Sequence, residues 1–217
     1  MRYGPIAVSY GRATGVPKGS LSVHLDDTAP LHPVTSTPRG LRNDDAMIMF
    51  TGGTTGLPKM VLWTDENAAS SVHAIIAAYQ LGPQDAPVVV MPLYHGHGLI
   101  AALLSTLASG GVVLLPARTR FSAHTFWDDL DAVAATWYTA VPTIHRILLR
   151  FASTQFFGSK RAKLRFIRSC SASLTQETAQ ALCEEFSAPV VCAFGMTEAT
   201  HQVTTTGIEW FEPKRKS

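Results

Sequence analysis

Short apolar runs alternate with stretches of helical periodicity through the middle of this chain, and that alternation narrows the fold more than any other feature. Residues 88–91, 112–115, 136–139, 164–168 and 189–193 read as strands. Between them lie helical patterns. Thr64 can cap a helix with Asp65 and Glu66 in its first turn and Val72, Ile75, Ile76 and Tyr79 on one face, stopped by Gly82-Pro83. Residues 99–107 and 121–133 are expected to be helical, the second with Phe126, Leu130 and Val133 inward. Pro142 opens a helix holding Ile144, Ile147 and Leu148, and residues 175–186 form another. Strands alternating with helices of about 10–15 residues imply βαβ units. The expected fold is therefore α/β, with a mostly parallel sheet flanked by helices on both faces.

Composition excludes several classes. The chain has 217 residues, 46% of them hydrophobic and only 16% charged, which rules out general disorder and permits a sizeable core. A formal charge of +2, scattered until the last positions, points to neither a nucleic-acid nor a membrane-surface partner. No apolar run reaches the length of a membrane span. Cys170, Cys183 and Cys192 show no zinc or redox spacing, so a reducing cytoplasm is expected. Residues 1–43, rich in Gly, Pro, Ser and Thr, read as a linker or peripheral segment with one alternating stretch at 21–25.

The stretch Thr51-Gly52-Gly53-Thr54-Thr55-Gly56-Leu57-Pro58-Lys59 lies between the apolar runs 47–50 and 60–63, both read as buried strands. Glycines let backbone N–H groups turn toward an anion, threonine hydroxyls add donors, and Lys59 adds a point charge. That is the chemistry of a polyphosphate cradle, although a glycine-rich hairpin with a surface lysine has the same look. It is not the common P-loop, which needs Gly-Lys-Ser/Thr opening a helix.

Three more polar clusters follow strand-like runs, where ligands gather in open parallel sheets. They are Tyr94-His95-Gly96-His97, Ser169-Cys170-Ser171-Ala172-Ser173, and Ala193-Phe194-Gly195-Met196-Thr197-Glu198. Each has an ordinary alternative. His95 and His97 could be a metal pair lacking a third ligand, or His97 a buried hydrogen-bonded histidine; Ser171-Ala172-Ser173 could be a helix cap; His201 could be a surface residue.

Taken in order, these motifs resemble the adenylate-forming superfamily of acyl-CoA synthetases, luciferases and peptide-synthetase adenylation domains. That family usually has Ser where Gly52 stands and Gly where Met60 stands. Residues 121–123, 135–145, 166–174 and 196–201 further resemble its oxalyl-CoA synthetase branch, with coverage from about Asp44 to Thr204. The resemblance implies ATP, Mg²⁺ and CoA as ligands and a small carboxylic acid, such as oxalate, as substrate. It implies nucleotide contacts from Thr51 to Gly56, Lys59, Ser171 to Ser173 and Ala193 to Thr197, with Lys59, Thr197 and Glu198 in catalytic roles and Glu198 on the cation. His95, Ser171 and His201 are expected to meet the acid, since the unreacted carboxylate of oxalate needs donors. A medium- or long-chain fatty-acid ligase and a noncatalytic nucleotide-binding module remain the alternatives. The resemblance also implies a ribose-binding carboxylate and a C-terminal lysine downstream of Glu198, neither found in residues 199–217, so residues 44–205 are expected to be part of the large domain, with weak activity alone.

Overall fold

The computed structural model of the chain describes residues 8–12, 21–25, 44–51, 59–116, 121–155 and 163–208. The chain divides into two compact units, Met1–Asn43 and Asp44–Ser217. In the first, β1 (Val8–Arg12) pairs antiparallel with β2 (Leu21–Leu25).

The second unit begins with an antiparallel ribbon of β3 (Asp45–Thr51) and β4 (Lys59–Thr64). Helix α1 (Asp65–Tyr79) follows directly, because Thr64 and Asn67 cap each other's backbone in a reciprocal box. After β5 (Pro87–Val88) come a π-helix, His97–Leu104, and the short α2 (Ser105–Ala108). The rest alternates: α3 (Phe126–Ala132), β6 (Trp137–Ala140), α4 (Pro142–Gln155), β7 (Phe166–Ser169), α5 (Gln176–Phe186) and β8 (Val190–Phe194). A 3-10 turn, Thr197–Ala199, then leads into β9 (Thr204–Thr205).

Strands β5 to β9 form one sheet in sequence order, parallel through β8 and closed by antiparallel β9. Alternate residues feed two cores, as a period-2 strand buried on both sides requires. Tyr138, Ala140 and Ile167 pack with Phe126, Trp127, Leu130, Leu148 and Leu182 on one face. Trp137, Phe166 and Val191 pack with Val72, Ile75, Tyr79 and Ile100 on the other. The α/β architecture with helices on both faces is as expected. Among the described residues, no helix is long and apolar enough to cross a membrane.

Four local expectations need correction. The ribbon strands are not buried: Ile48 pairs with Leu62 and Phe50 with Met60 on an exposed face, while Met49 and Trp63 are buried on the other. An antiparallel ribbon with one face covered produces this split, and it places the cradle at the tip of a hairpin rather than after a strand of the parallel sheet. Of residues 88–91 only Val88 is strand, and of 112–115 only Leu114 bridges to it, at the sheet edge where Pro92 and Pro116 end the pairing. The helix expected at 99–107 starts earlier and is π-helical through Leu104. The helix expected from 121 starts at Phe126, after a turn in which the Ser122 carbonyl accepts from the N–H groups of Thr125 and Phe126.

Candidate active site

Three polar clusters meet beyond the carboxyl ends of β5, β7 and β8. The turn after β5 carries His95, whose Nδ1 accepts from the backbone N–H of His97 at 3.1 Å. His97 is buried, with Nε2 2.5 Å from Thr139 Oγ1 on β6 and Nδ1 3.1 Å from Ser171 Oγ after β7. The His201 ring stacks on His97 at 5.2 Å between centroids and meets His95 edge-on at 6.4 Å. His95, Ser171 and His201 are thus brought together, with His97 as the bridge between them.

The backbone is strained where these side chains are presented. Ser171, Thr200 and His201 all have positive φ, at 70°, 51° and 84°. Non-glycine residues adopt this region at a cost of about 1–3 kcal/mol each, and such residues cluster at functional sites. Hydrogen bonds hold the distortion: Ser71 Oγ donates to the Thr200 carbonyl at 2.6 Å, and the His201 N–H donates to the Met196 carbonyl at 3.1 Å.

The ribbon is tied to the same place from the other side. Trp63 Nε1 donates to the Thr197 carbonyl at 2.7 Å, fixing the ribbon against the 3-10 turn that carries Thr197 and Glu198. Lys59 shares its face of β4 with Val61 and Trp63, about 13 Å along the strand from the tryptophan, and Thr51 stands opposite Lys59. Gly52, Gly53, Thr54, Thr55 and Gly56 lie outside the described residues. Ser171, Ala172 and Ser173 are exposed, as are Phe194, Met196 and Glu198, while Ala193, Gly195 and Thr197 are half-buried. The Glu198 carboxylate makes no hydrogen bond or ion pair among the described residues. A lone exposed carboxylate fits a magnesium ion that takes its other ligands from phosphate and water. No cluster of three His, Cys, Asp or Glu side chains able to hold a metal occurs among the described residues, and both ring nitrogens of His97 are already engaged.

Gly195 is required by contact. A Cβ there would overlap the His201 carbonyl oxygen, a backbone atom that cannot move without dragging the strained turn. Gly195→Ala is expected to lower stability by about 3 kcal/mol. Denaturant titration checks this; an unchanged midpoint would refute it.

Arg168 and Trp63 were not singled out from the sequence as site residues. Arg168 is fully buried in β7, donating from Nε to Tyr79 OH, from Nη1 to Thr139 Oγ1, and from Nη2 to Gln202 Oε1, at 3.0, 3.0 and 2.8 Å. Its Nη2 also lies 3.1 Å from His201 Nε2. No described carboxylate pairs with it. Burial, followed by the Arg168 charge, pushes His97 well below the usual histidine range and His201 down to about 3. An arginine between Ile167 and Ser169, in a strand apolar enough to be buried on both faces, was the available signal.

Comparison with known proteins fits this geometry. Residues 12–217 match the family model described as AMP-binding enzyme. The chain is 53% identical over 164 residues to an oxalate–CoA ligase of Arabidopsis thaliana, covering 75% of this chain and 32% of that protein. It is 42% identical over 166 residues to an oxalate–CoA ligase of Saccharomyces cerevisiae, covering 76% and 30%. A malonyl-CoA ligase structure with methylmalonyl-CoA and AMP bound is similar with a TM-score of 0.68 at 28% identity, over 79% of this chain and 36% of that one. The chain spans about a third of the length of the curated relatives it matches. With the strand-end clusters and the ribbon anchored at Thr197, these likenesses establish that the chain belongs to the AMP-binding enzyme family.

Proposed function

We propose that this chain is part of a cytoplasmic acid–CoA ligase acting on a small dicarboxylate, oxalate being the best fit. The carrying observation is the gathering of His95, Ser171 and His201 over the buried cation of Arg168. A carboxylate oxygen of the acid attacks the α-phosphorus of ATP, the bond to the β-phosphate oxygen breaks, and pyrophosphate leaves. The thiol of CoA then attacks the acyl carbon, giving the thioester and AMP as its proton passes to solvent.

In this reading residues 44–205 belong to the nucleotide-binding domain. Lys59 and the hairpin tip hold the β- and γ-phosphates, Thr197 donates to the α-phosphate as its charge is redistributed, and Ser171 to Ser173 with Ala193 to Met196 line the adenine side. Glu198 would hold magnesium, which when bound neutralises charge on the phosphates. Relatives three times as long contribute more than this third, so the chain alone is expected to turn over slowly, because orientation is incomplete.

A fatty-acid substrate is disfavoured by the same residues. An alkyl chain seated against the exposed His95 ring and Ser171 hydroxyl would strip water from them without giving a hydrogen bond back.

Titration calorimetry tests the division of labour. Lys59→Ala is expected to weaken Mg-ATP binding roughly 10-fold or more and spare oxalate, since a charge-assisted hydrogen bond contributes about 1.5–3 kcal/mol. His201→Ala should spare Mg-ATP and weaken oxalate by a similar factor. Oxalate binding untouched by His201→Ala, or heats from a long-chain acid and none from oxalate, would refute the reading.

A further inference from the structure

We infer that Arg168 is a positioning residue that turns His201 and Ser171 toward the acid as hydrogen donors, beside an independently set His95, making the site specific for a ligand that only accepts and carries two negative charges. This rests on the small-dicarboxylate reading above and adds to it the residue responsible.

A guanidinium has no acceptor, so across the 3.1 Å contact between Arg168 Nη2 and His201 Nε2 the arginine donates and Nε2 must be bare. A neutral His201 therefore carries its proton on Nδ1, which has no partner among the described residues. His201 faces the site as an N–H donor.

A second arm starts from the same guanidinium. Thr139 Oγ1 accepts from Arg168 Nη1, and its only other partner among the described residues is His97 Nε2. Thr139 is buried, so its single hydroxyl proton is satisfied only by donation to His97 Nε2. His97 then bears its proton on Nδ1 and donates to Ser171 Oγ at 3.1 Å. With that oxygen occupied as an acceptor, the exposed Ser171 hydroxyl proton is left to point outward.

His95 is set independently. The backbone N–H of His97 can only donate, so His95 Nδ1 is bare and Nε2 carries the proton. Three side chains consequently present hydrogens: His95 Nε2, Ser171 Oγ and His201 Nδ1. Behind them lies a cation with no carboxylate partner among the described residues, and a doubly charged anion with only acceptor oxygens would supply both the acceptors and the countercharge.

The test is ¹⁵N spectroscopy of the histidine-labelled chain at neutral pH, with oxalate and acetate as probes. The wild-type chain is expected to show His201 protonated at Nδ1 and His95 at Nε2, with oxalate shifting both at concentrations at least about 10-fold below acetate. Arg168→Gln should give a mixed His201 tautomer and lose most of that preference for oxalate. Arg168→Lys, which keeps the charge without the planar fork, should retain part of the preference while the tautomer still mixes.

A wild-type spectrum with His201 protonated at Nε2 overturns the inference, even if neither variant folds. A folded Arg168→Gln chain with its oxalate preference intact overturns it as well. If the tautomers are as assigned but oxalate shifts nothing, the proton assignment is supported and it is the oxalate reading that falls.

Discussion

Acidification from pH 7 to pH 5 is expected to remove at least about 4 kcal/mol of stability, a large share of what an ordinary domain has. The loss comes from histidines enclosed as neutral bases. Burial holds His97 well below its ordinary range, His145 at about 4, and His201 at about 3, with the Arg168 charge adding to burial at His97 and His201. In the unfolded chain each titrates near 6.5. Below that value the unfolded state takes up protons that the folded state refuses, so stability falls as pH falls. The window opens near pH 6.5 and stays open through about 4 for His145 and about 3 for His201. His145 and His201 each contribute about 1.4 kcal/mol per pH unit, so the two over one and a half units give about 4 kcal/mol, and His97 acts in the same direction. Denaturant titrations between pH 7 and 5 measure it directly. His145→Asn should reduce proton uptake on unfolding by about one, and a flat profile across this range would show that the imidazoles are not buried neutral.

Replacing Asp85 by alanine is expected to cost about 3 kcal/mol, because it removes the buried acceptor of four hydrogen bonds, while the Arg165 left behind is 32% exposed. Asp85 is fully buried and its two oxygens accept four hydrogen bonds, all at 2.9 Å. Arg165 Nε and Thr136 Oγ1 reach Oδ1, while Arg165 Nη2 and the Gly82 N–H reach Oδ2. Arg165 also donates to the carbonyls of Tyr79 and Gln80 at the end of α1. The carboxylate thereby joins the entries to β5, β6 and β7 with the exit of α1, at the end of the sheet opposite the histidines. Asp85→Ala should shift the urea midpoint without changing the slope, and the tautomers of His95 and His201 should be unchanged in the folded fraction. A loss below about 1 kcal/mol would mean that the ion pair is dispensable.

Much of this architecture was legible from residue patterns. The runs 136–139, 164–168 and 189–193 announced parallel strands because they are short, apolar and alternate with helical patterns, and Thr64 marked a helix start through local capping chemistry. Burial in the ribbon was not legible. Ile48 and Phe50 are as apolar as Met49, and only the pairing with Leu62 and Met60 shows which face is covered. His95, Ser171 and His201 were recognisable as a set because each follows a strand. Arg168 was hidden by its setting, since a charged residue in an apolar strand acquires meaning only when Thr139, Tyr79, His201 and Gln202 arrive from distant parts of the chain. The π-helical winding of residues 97–104 had no signature in composition.

That winding carries a consequence for how this site can vary. A π turn holds more residues than an α turn of the same span, so removing one residue from His97–Leu104 would tighten it into an ordinary helix and swing whatever stands at its start by roughly 100°. His97 would leave the stack with His201 and the serine beyond it would lose its donor. Under the proposed acid–CoA ligase reading, single-residue changes in the length of this segment, with no change of amino-acid type, would therefore act on acid selection through the His97–His201 stack.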